Sequence, residues 1–236
     1  MTTTQKSSVE EIRRRFDADV ERFSNLATGQ VATIDALASL ELVAQAARAA
    51  TPGAAEVLDI GCGAGNYSLK LREHFPAARF TLVDLSQPML DRAAERLGSS
   101  VRETVAGDIR ELDFAPGRFD VIVAAAVFHH LRTPAEWERT FAACHRWLKP
   151  GGSLWIFDLV AHEDPAIQAM MWASYGRYLE DQGGAAYRDK VFAYVEREDT
   201  PVSLTRQLAG LAGAGFAAID VLHKRACFAA FGGIKR

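Results

Sequence analysis

The chain is poor in cysteine. Cys62, Cys144 and Cys227 are its only three among 236 residues, and they lie far apart. Such spacing offers no metal-binding cluster and no disulfide framework. Long apolar runs are missing too, since none approaches the ~20 residues a membrane span needs, so no membrane partner is expected. Nor does one sign of charge dominate: 27 Lys and Arg stand against 30 Asp and Glu, a formal net charge of −3. No global field draws the protein to nucleic acid, and no nucleic-acid partner is expected. Residues 1–10 are polar and carry no apolar signal region, so a cytoplasmic location is the expectation.

What the chain does have is a glycine-rich turn. Residues 56–65 read Glu-Val-Leu-Asp-Ile-Gly-Cys-Gly-Ala-Gly. The apolar run Val57-Leu58-Asp59-Ile60 predicts a buried strand. It breaks into Gly61, Gly63 and Gly65, and a helical pattern through Tyr67, Leu69, Leu71 and Phe75 follows. Glycine lacks the Cβ that keeps a ligand off the backbone, so this strand, turn and helix predict a nucleotide-like ligand. The spacing is G-x-G-x-G rather than the G-x-G-x-x-G of dinucleotide binders, which counts against a nicotinamide cofactor. Cys62, inside the turn, reads as a small packing residue.

The length suits one large domain, or a domain with an appended subdomain. Val9, Ile12, Phe16, Val20 and Phe23 recur at spacings of three and four, which predicts an amphipathic helix. Thr28-Gly29 breaks it. A second helix is predicted over 31–50, with Ile34, Leu37 and Val43 inward, and Thr51-Pro52-Gly53 stops it. Strands at 56–60, 79–84, 101–106, 119–124 and 153–158 then alternate with helical patterns, among them 88–97 and 134–148. That alternation predicts an α/β fold, a Rossmann-like parallel sheet covered on both faces. After Val160, Ile167, Met171, Tyr175 and Tyr178 form a helical stripe that Gly183-Gly184 breaks. Helices at 187–197 and 204–212 follow, and the runs 217–222 and 227–231 predict a hairpin on an antiparallel edge. The expected division is a helical N-terminal cap (1–50), a ligand-binding core (51–160), a helical lid insertion (161–200), and a last helix with the terminal hairpin (201–236).

Three aspartates stand out. Asp59 lies beside the turn, Asp84 ends the second strand and Asp108 follows the third. Open α/β sheets take their ligands at the carboxyl ends of the strands, and an acid in the place of Asp84 accepts from ribose hydroxyls. Each aspartate alone also reads as a turn or helix cap. Four signals occur in order: Val-Leu-Asp-Ile-Gly-Cys-Gly-Ala-Gly, Thr-Leu-Val-Asp-Leu-Ser, Gly-Asp-Ile, and Phe-Asp-Val-Ile-Val with a downstream Leu-Lys-Pro-Gly-Gly. In this series the chain resembles the class I S-adenosylmethionine-dependent methyltransferases, over about residues 56–158. The resemblance implies S-adenosylmethionine as cofactor and a seven-stranded sheet whose last strand is antiparallel. It also implies roles. Asp59, Gly61, Gly63 and Gly65 line the methionine moiety, with Ala124 under its amino-acid end. Asp84 and the adjoining Leu85 hold the ribose, and Gly107, Asp108 and Ile109 the adenine. Met89 packs on the adenine ring. Apart from the resemblance, Phe16 and Phe23 on the first amphipathic helix are candidates for closing over the cofactor.

Methyl transfer to a small molecule by direct displacement needs alignment, exclusion of water and sometimes a base. His129 and His130, after the fourth strand, are candidate bases, or caps of that junction. Asp158 and His162 follow the fifth strand and would meet a substrate or serve as caps. Tyr175, Tyr178 and Trp172 on the insertion would face the cofactor's cation or form the packed side of the lid. Ser203 reads as an N-cap for the helix from Leu204. Arg-Arg-Arg-Phe-Asp, Phe-His-His-Leu and Phe-Ala-Ala-Phe-Gly-Gly are similar to a small-molecule branch near the carboxy-S-adenosylmethionine synthases, without a counterpart of their arginine set. Size and lid are also similar to enzymes that cyclise S-adenosylmethionine to azetidine-2-carboxylate with release of methylthioadenosine, in which Tyr175 and Ser203 would orient the amine. A cofactor-binding protein without turnover is the third reading. The partner is then a small-molecule substrate or S-adenosylmethionine alone, a homodimer is left open, and no metal site is expected because the acids at the sheet edge are assigned to the cofactor.

Overall fold

The computed structural model describes residues 6–25 and 29–236, so the break expected at Thr28 lies outside the described residues. Strands β1 (Glu56–Ile60), β2 (Arg79–Asp84), β3 (Val101–Ala106), β4 (Phe119–Ala125), β5 (Leu148–Leu159), β6 (Ala217–Arg225) and β7 (Phe228–Ile234) form one sheet. Its order is β3-β2-β1-β4-β5-β7-β6. The first five strands run parallel, and β7 is antiparallel to both β5 and β6. This is the Rossmann-like α/β sheet with an antiparallel last strand that the sequence predicts. β5 begins earlier than Ser153 because Leu148 already pairs with Phe119.

Side chains alternate across the sheet and so build two cores. Along β4, Val121 and Val123 join one cluster with Val57, Leu82, Phe157, Val43 and Leu71. Ile122 and Ala124 join the other, with Ile60, Ile156, Phe141, Cys144 and Leu211. Helices α3 (Ala36–Ala50), α4 (Asn66–His74) and α5 (Gln87–Leu97) supply apolar faces to the first core, and α6 (Pro134–Trp147) and α8 (Leu204–Gly213) to the second. β1 and β4 are neighbours although β2 and β3 lie on the far side of β1. The strand order therefore reverses there and opens a crevice at the carboxyl ends of β1 and β4.

The N-terminal pattern needs two corrections. The first apolar stripe is not one helix: it breaks at Asp19 into α1 (Val9–Ala18) and α2 (Val20–Ser24). The second helix starts at Ala36, not at 31. Asp35 is held left-handed (φ 55°), with its carboxylate 3.0 Å from His223 Nε2 and accepting from Arg225 Nη1 at 2.9 Å. Its phase buries Val43 but leaves Leu37 54% exposed, and Ile34 is buried just ahead of it. In the insertion, α7 (Pro165–Glu198) is broken as predicted at Gly183 and Gly184, the latter at φ 77°. Among the described residues no helix is long and apolar enough to cross a membrane.

Candidate functional site

The turn after β1 is shaped by three left-handed glycines, each for its own reason. A Cβ on Gly61 (φ 65°) would lie 2.7 Å from a methyl of Val127. At Gly63 (φ 50°) a Cβ would meet nothing within 4 Å, because this residue faces an open crevice. Gly65 (φ 84°) does not line that crevice. A Cβ there would sit 3.0 Å from Ala93 Cβ, so the residue lets α4 lie against α5. The sequence-predicted role of Gly65 at the cofactor is thus replaced by helix packing.

Two buried carboxyls bracket the turn. Asp59, 1% exposed, accepts from Ser68 Oγ at 2.6 Å. Burial pushes its carboxyl up to about 7, with the nearby Asp84 adding to the effect. Asp84 accepts the Gly63 N–H at 2.8 Å and the Ser86 N–H at 2.9 Å. Burial raises its pKa while those backbone bonds oppose the rise. Phe16, Gly61, Gly63, Leu85 and Met89 line the same cavity. An adjoining cavity, lined by Gly107, Asp108 and Ile109, shares Gly61, Asp84, Leu85, Val127 and His130 with the first, so the two form one crevice. Asp108 is held by its neighbour Arg110, accepting both its backbone N–H at 2.9 Å and Nε at 2.8 Å. Burial works against its charge, and the Arg110 bonds outweigh it and lower its pKa. Ala124 is fully buried in the second core, and Ala125 and Ala126 line the crevice instead. The correction follows from strand alternation, since β4 runs one residue further than predicted.

Behind the crevice lies a charged cluster. Asp158, buried in β5, accepts the backbone N–H of Phe128 at 2.9 Å and of His129 at 3.2 Å. It also pairs with Nδ1 of His129. His129 Nε2 lies 3.5 Å from Oδ1 of Asp199, and His130 Nδ1 lies 3.4 Å from the same oxygen. Burial disfavours charge on both imidazoles. For His129 the carboxylates of Asp158 and Asp199 outweigh it and push the pKa up to about 9. For His130, burial and the charge of His129 hold it well below its ordinary value. Burial lifts Asp199 to about 6. His130 lines both cavities, and its ring meets that of Phe16 edge-on at 6.3 Å. His129 lines neither. Asp158 is therefore a partner behind His129 rather than a substrate-facing acid. His162 lies outside the crevice, its backbone N–H bonded to Gln168.

Tyr175 and Ser203 are not brought to the crevice. The buried Tyr175 hydroxyl donates to the Ala32 carbonyl at 2.7 Å, and Tyr178 donates to Val31 at 2.9 Å. Both hold a strap, residues 29–35, whose Gly29, Gln30 and Thr33 line the crevice. Ser203 caps α8, accepting the Arg206 N–H at 3.3 Å and donating to Glu163. Two site residues were missed. Tyr67 lines the first cavity with a buried hydroxyl that has no partner; its place one residue into the helix after the turn was the available signal. Asp199 gave none, because an acid after a helix reads as an ordinary turn.

The family profile for the methyltransferase domain matches residues 57–152. The chain is 30% identical over 173 residues to a malonyl-[acyl-carrier protein] O-methyltransferase of Geobacter sulfurreducens, covering 72% of this chain and 58% of that one. It is 29% identical over 182 residues to the ubiquinone/menaquinone biosynthesis C-methyltransferase UbiE of Desulfotalea psychrophila, covering 76% and 72%. The chain thus spans little more than half the length of the Geobacter protein. A solved structure, the 1,6-didemethyltoxoflavin-N1-methyltransferase of Burkholderia thailandensis with bound S-adenosylhomocysteine, shares the fold at a TM-score of 0.63 and 20% identity, covering 97% of this chain and 91% of that one.

Proposed function

We infer that residues 57–152, which match a methyltransferase domain, belong with the class I S-adenosylmethionine-dependent methyltransferases, and from that premise we propose that the protein transfers a methyl group from S-adenosylmethionine to a small molecule by direct displacement. The observation that carries this reading is the arrangement around Gly63. Its open Cβ direction faces a crevice walled by Asp59 and Asp84, and Asp84 itself fixes the turn through the Gly63 N–H. An orphaned Tyr67 hydroxyl in the same wall awaits a polar partner. These groups suit an adenosyl amino acid: two acids for ribose hydroxyls and an ammonium, a bare backbone for close approach, and Met89 with Phe16 for a flat ring.

When bound, the cofactor supplies an electrophilic methyl group on a sulfonium. The chain's own residues then have modest tasks. Asp84 and the turn fix the ribose end, Asp59 the amino-acid end, and Asp108 with Ile109 the adenine. The helical cap (1–50), through Phe16, Phe23 and the strap, excludes water from the sulfonium side. The helical insertion (161–200) serves as the lid by holding the strap through Tyr175 and Tyr178. Alignment of this kind supplies much of the barrier reduction in a displacement. His130 is the polar group on the wall against which an acceptor heteroatom lies.

The cyclising alternative needs Tyr175 and Ser203 at the cofactor's amine, and neither lines the crevice. One incubation tests all three readings. Purified protein and S-adenosylmethionine, with and without a panel of small phenols, amines and carboxylic acids, are analysed for nucleoside products. S-adenosylhomocysteine formed only with an acceptor is expected. Methylthioadenosine formed without one would replace this function by cyclisation. Tight binding with neither product would leave a binding protein.

A further inference from the structure

We propose that His129, His130 and Asp199 bind one divalent first-row transition-metal ion of the zinc type, just behind the crevice wall. The ligand atoms are His129 Nε2, His130 Nδ1 and Asp199 Oδ1, all within 4.8 Å of one another. The Asp199 oxygen is 3.5 and 3.4 Å from the two nitrogens. Ligands about 2.1 Å from a tetrahedral ion stand about 3.4 Å apart, so these separations match the edges of such a site.

Three further observations point to a ligand. The first is that His130 Nδ1 and Asp199 Oδ1 are buried with no hydrogen-bond partner, although the Asp199 side chain is only 4% exposed. Buried polar atoms of this kind call for a partner, and a bound ion is one. The second is that Asp158 pairs with Nδ1 of His129, the nitrogen away from the proposed ion. A carboxylate on the far nitrogen is how metal-bound imidazoles are oriented. The third is that the two loops are pinned together, because the Thr200 N–H donates to the His129 carbonyl at 2.7 Å. The bond joins the loop that carries the histidines directly to the residue after Asp199.

The surrounding charge selects the class of ion. Asp158, Asp199 and Glu198 face Arg15, Lys6 and Arg132. Lys6 is held on the Asp199 carbonyl and Arg132 on the Glu198 carbonyl. With Arg197, which pairs with Glu198 at 2.7 Å, the side-chain cations outnumber these carboxylates, so a hard ion attracted by charge alone gains little. Two imidazole nitrogens favour a borderline ion such as zinc or cobalt instead. Because His130 lines both cavities while His129 and Asp199 line neither, the ion would lie just behind the crevice wall.

The test is a titration of chelator-treated full-length protein with Co(II), followed by visible absorption, with Zn(II) as competitor. The expected result is one equivalent of Co(II) with ligand-field bands, displaced by Zn(II). Asp199→Asn and His130→Gln should lose the bands, and Asp158→Asn should weaken Co(II) binding by roughly 10–100-fold. Calorimetry with S-adenosylmethionine on Asp199→Asn checks that the fold is intact. Wild-type protein without bands at stoichiometric Co(II) overturns the proposal, as does an Asp199→Asn variant that binds Co(II) like wild type. Failure of the unmodified protein to bind S-adenosylmethionine would instead count against the methyl-transfer reading and leave the ion site standing.

Discussion

Asp59 is the residue whose chemistry is most exposed to measurement. Its carboxyl is fully buried and carries its proton up to about pH 7, against 3.8 for the ordinary group. The raised value means that the folded state favours the neutral acid. Stability of the ligand-free protein is therefore highest below the unfolded value and falls as pH rises from about 4 to about 7, then levels off. Asp84 and Asp199, also raised by burial, contribute to the same fall, so Asp59→Asn should make it shallower, which thermal melts across the window would show. A cationic ligand favours the ionised form, so wild-type affinity for S-adenosylmethionine should rise between about pH 6 and about pH 8 while that of Asp59→Asn stays flat. Equal slopes for the two proteins would remove Asp59 from the ligand's surroundings. At this scale, Asp59, Gly61, Gly63, Asp84 and Met89 were legible because each is fixed by a local pattern of strand end, turn and helix start. Ala124 slipped by one residue because only the strand's true end settles which alanine faces the crevice. Asp199 was not legible at all. It meets His129 and His130 across about seventy residues of chain, and no local periodicity encodes that meeting.

Elements act here through latches and close crossings. The hydroxyls of Tyr175 and Tyr178 tie the first half of α7 to the strap over the crevice. Removing one such bond costs about 1 kcal/mol. The double variant Tyr175→Phe/Tyr178→Phe should keep its secondary structure but release S-adenosylmethionine faster, by roughly tenfold or more if the strap gates exit. Stopped-flow displacement would reveal this, and an unchanged off-rate would reduce both tyrosines to packing. Gly65→Ala tests the α4–α5 crossing. The left-handed backbone alone costs roughly 1–2 kcal/mol, and the 3.0 Å approach to Ala93 adds to it, so denaturant unfolding should shift by at least that amount. A variant as stable as wild type would contradict the packing role. Helix boundaries were readable where glycine or proline marks them, as at Gly183-Gly184. They were misread at 31–36, where Asp35, held left-handed and in contact with His223 and Arg225 on β6, precedes the start.

At the scale of the whole molecule, the sheet was the most legible feature. Five apolar strands alternating with helices, then a hairpin, leave few topologies, and the reversal between β1 and β4 puts the crevice beside the glycine turn. The central claim is that this crevice, and no other surface, takes the adenosyl cofactor. The most direct measurement is a crystal structure with S-adenosylhomocysteine bound. It should show ribose hydroxyls on Asp84, the amino-acid end between Asp59 and Tyr67, and the adenine beside Asp108 and Ile109. Electron density for the nucleoside at any other site, with the crevice filled only by water, would contradict the account.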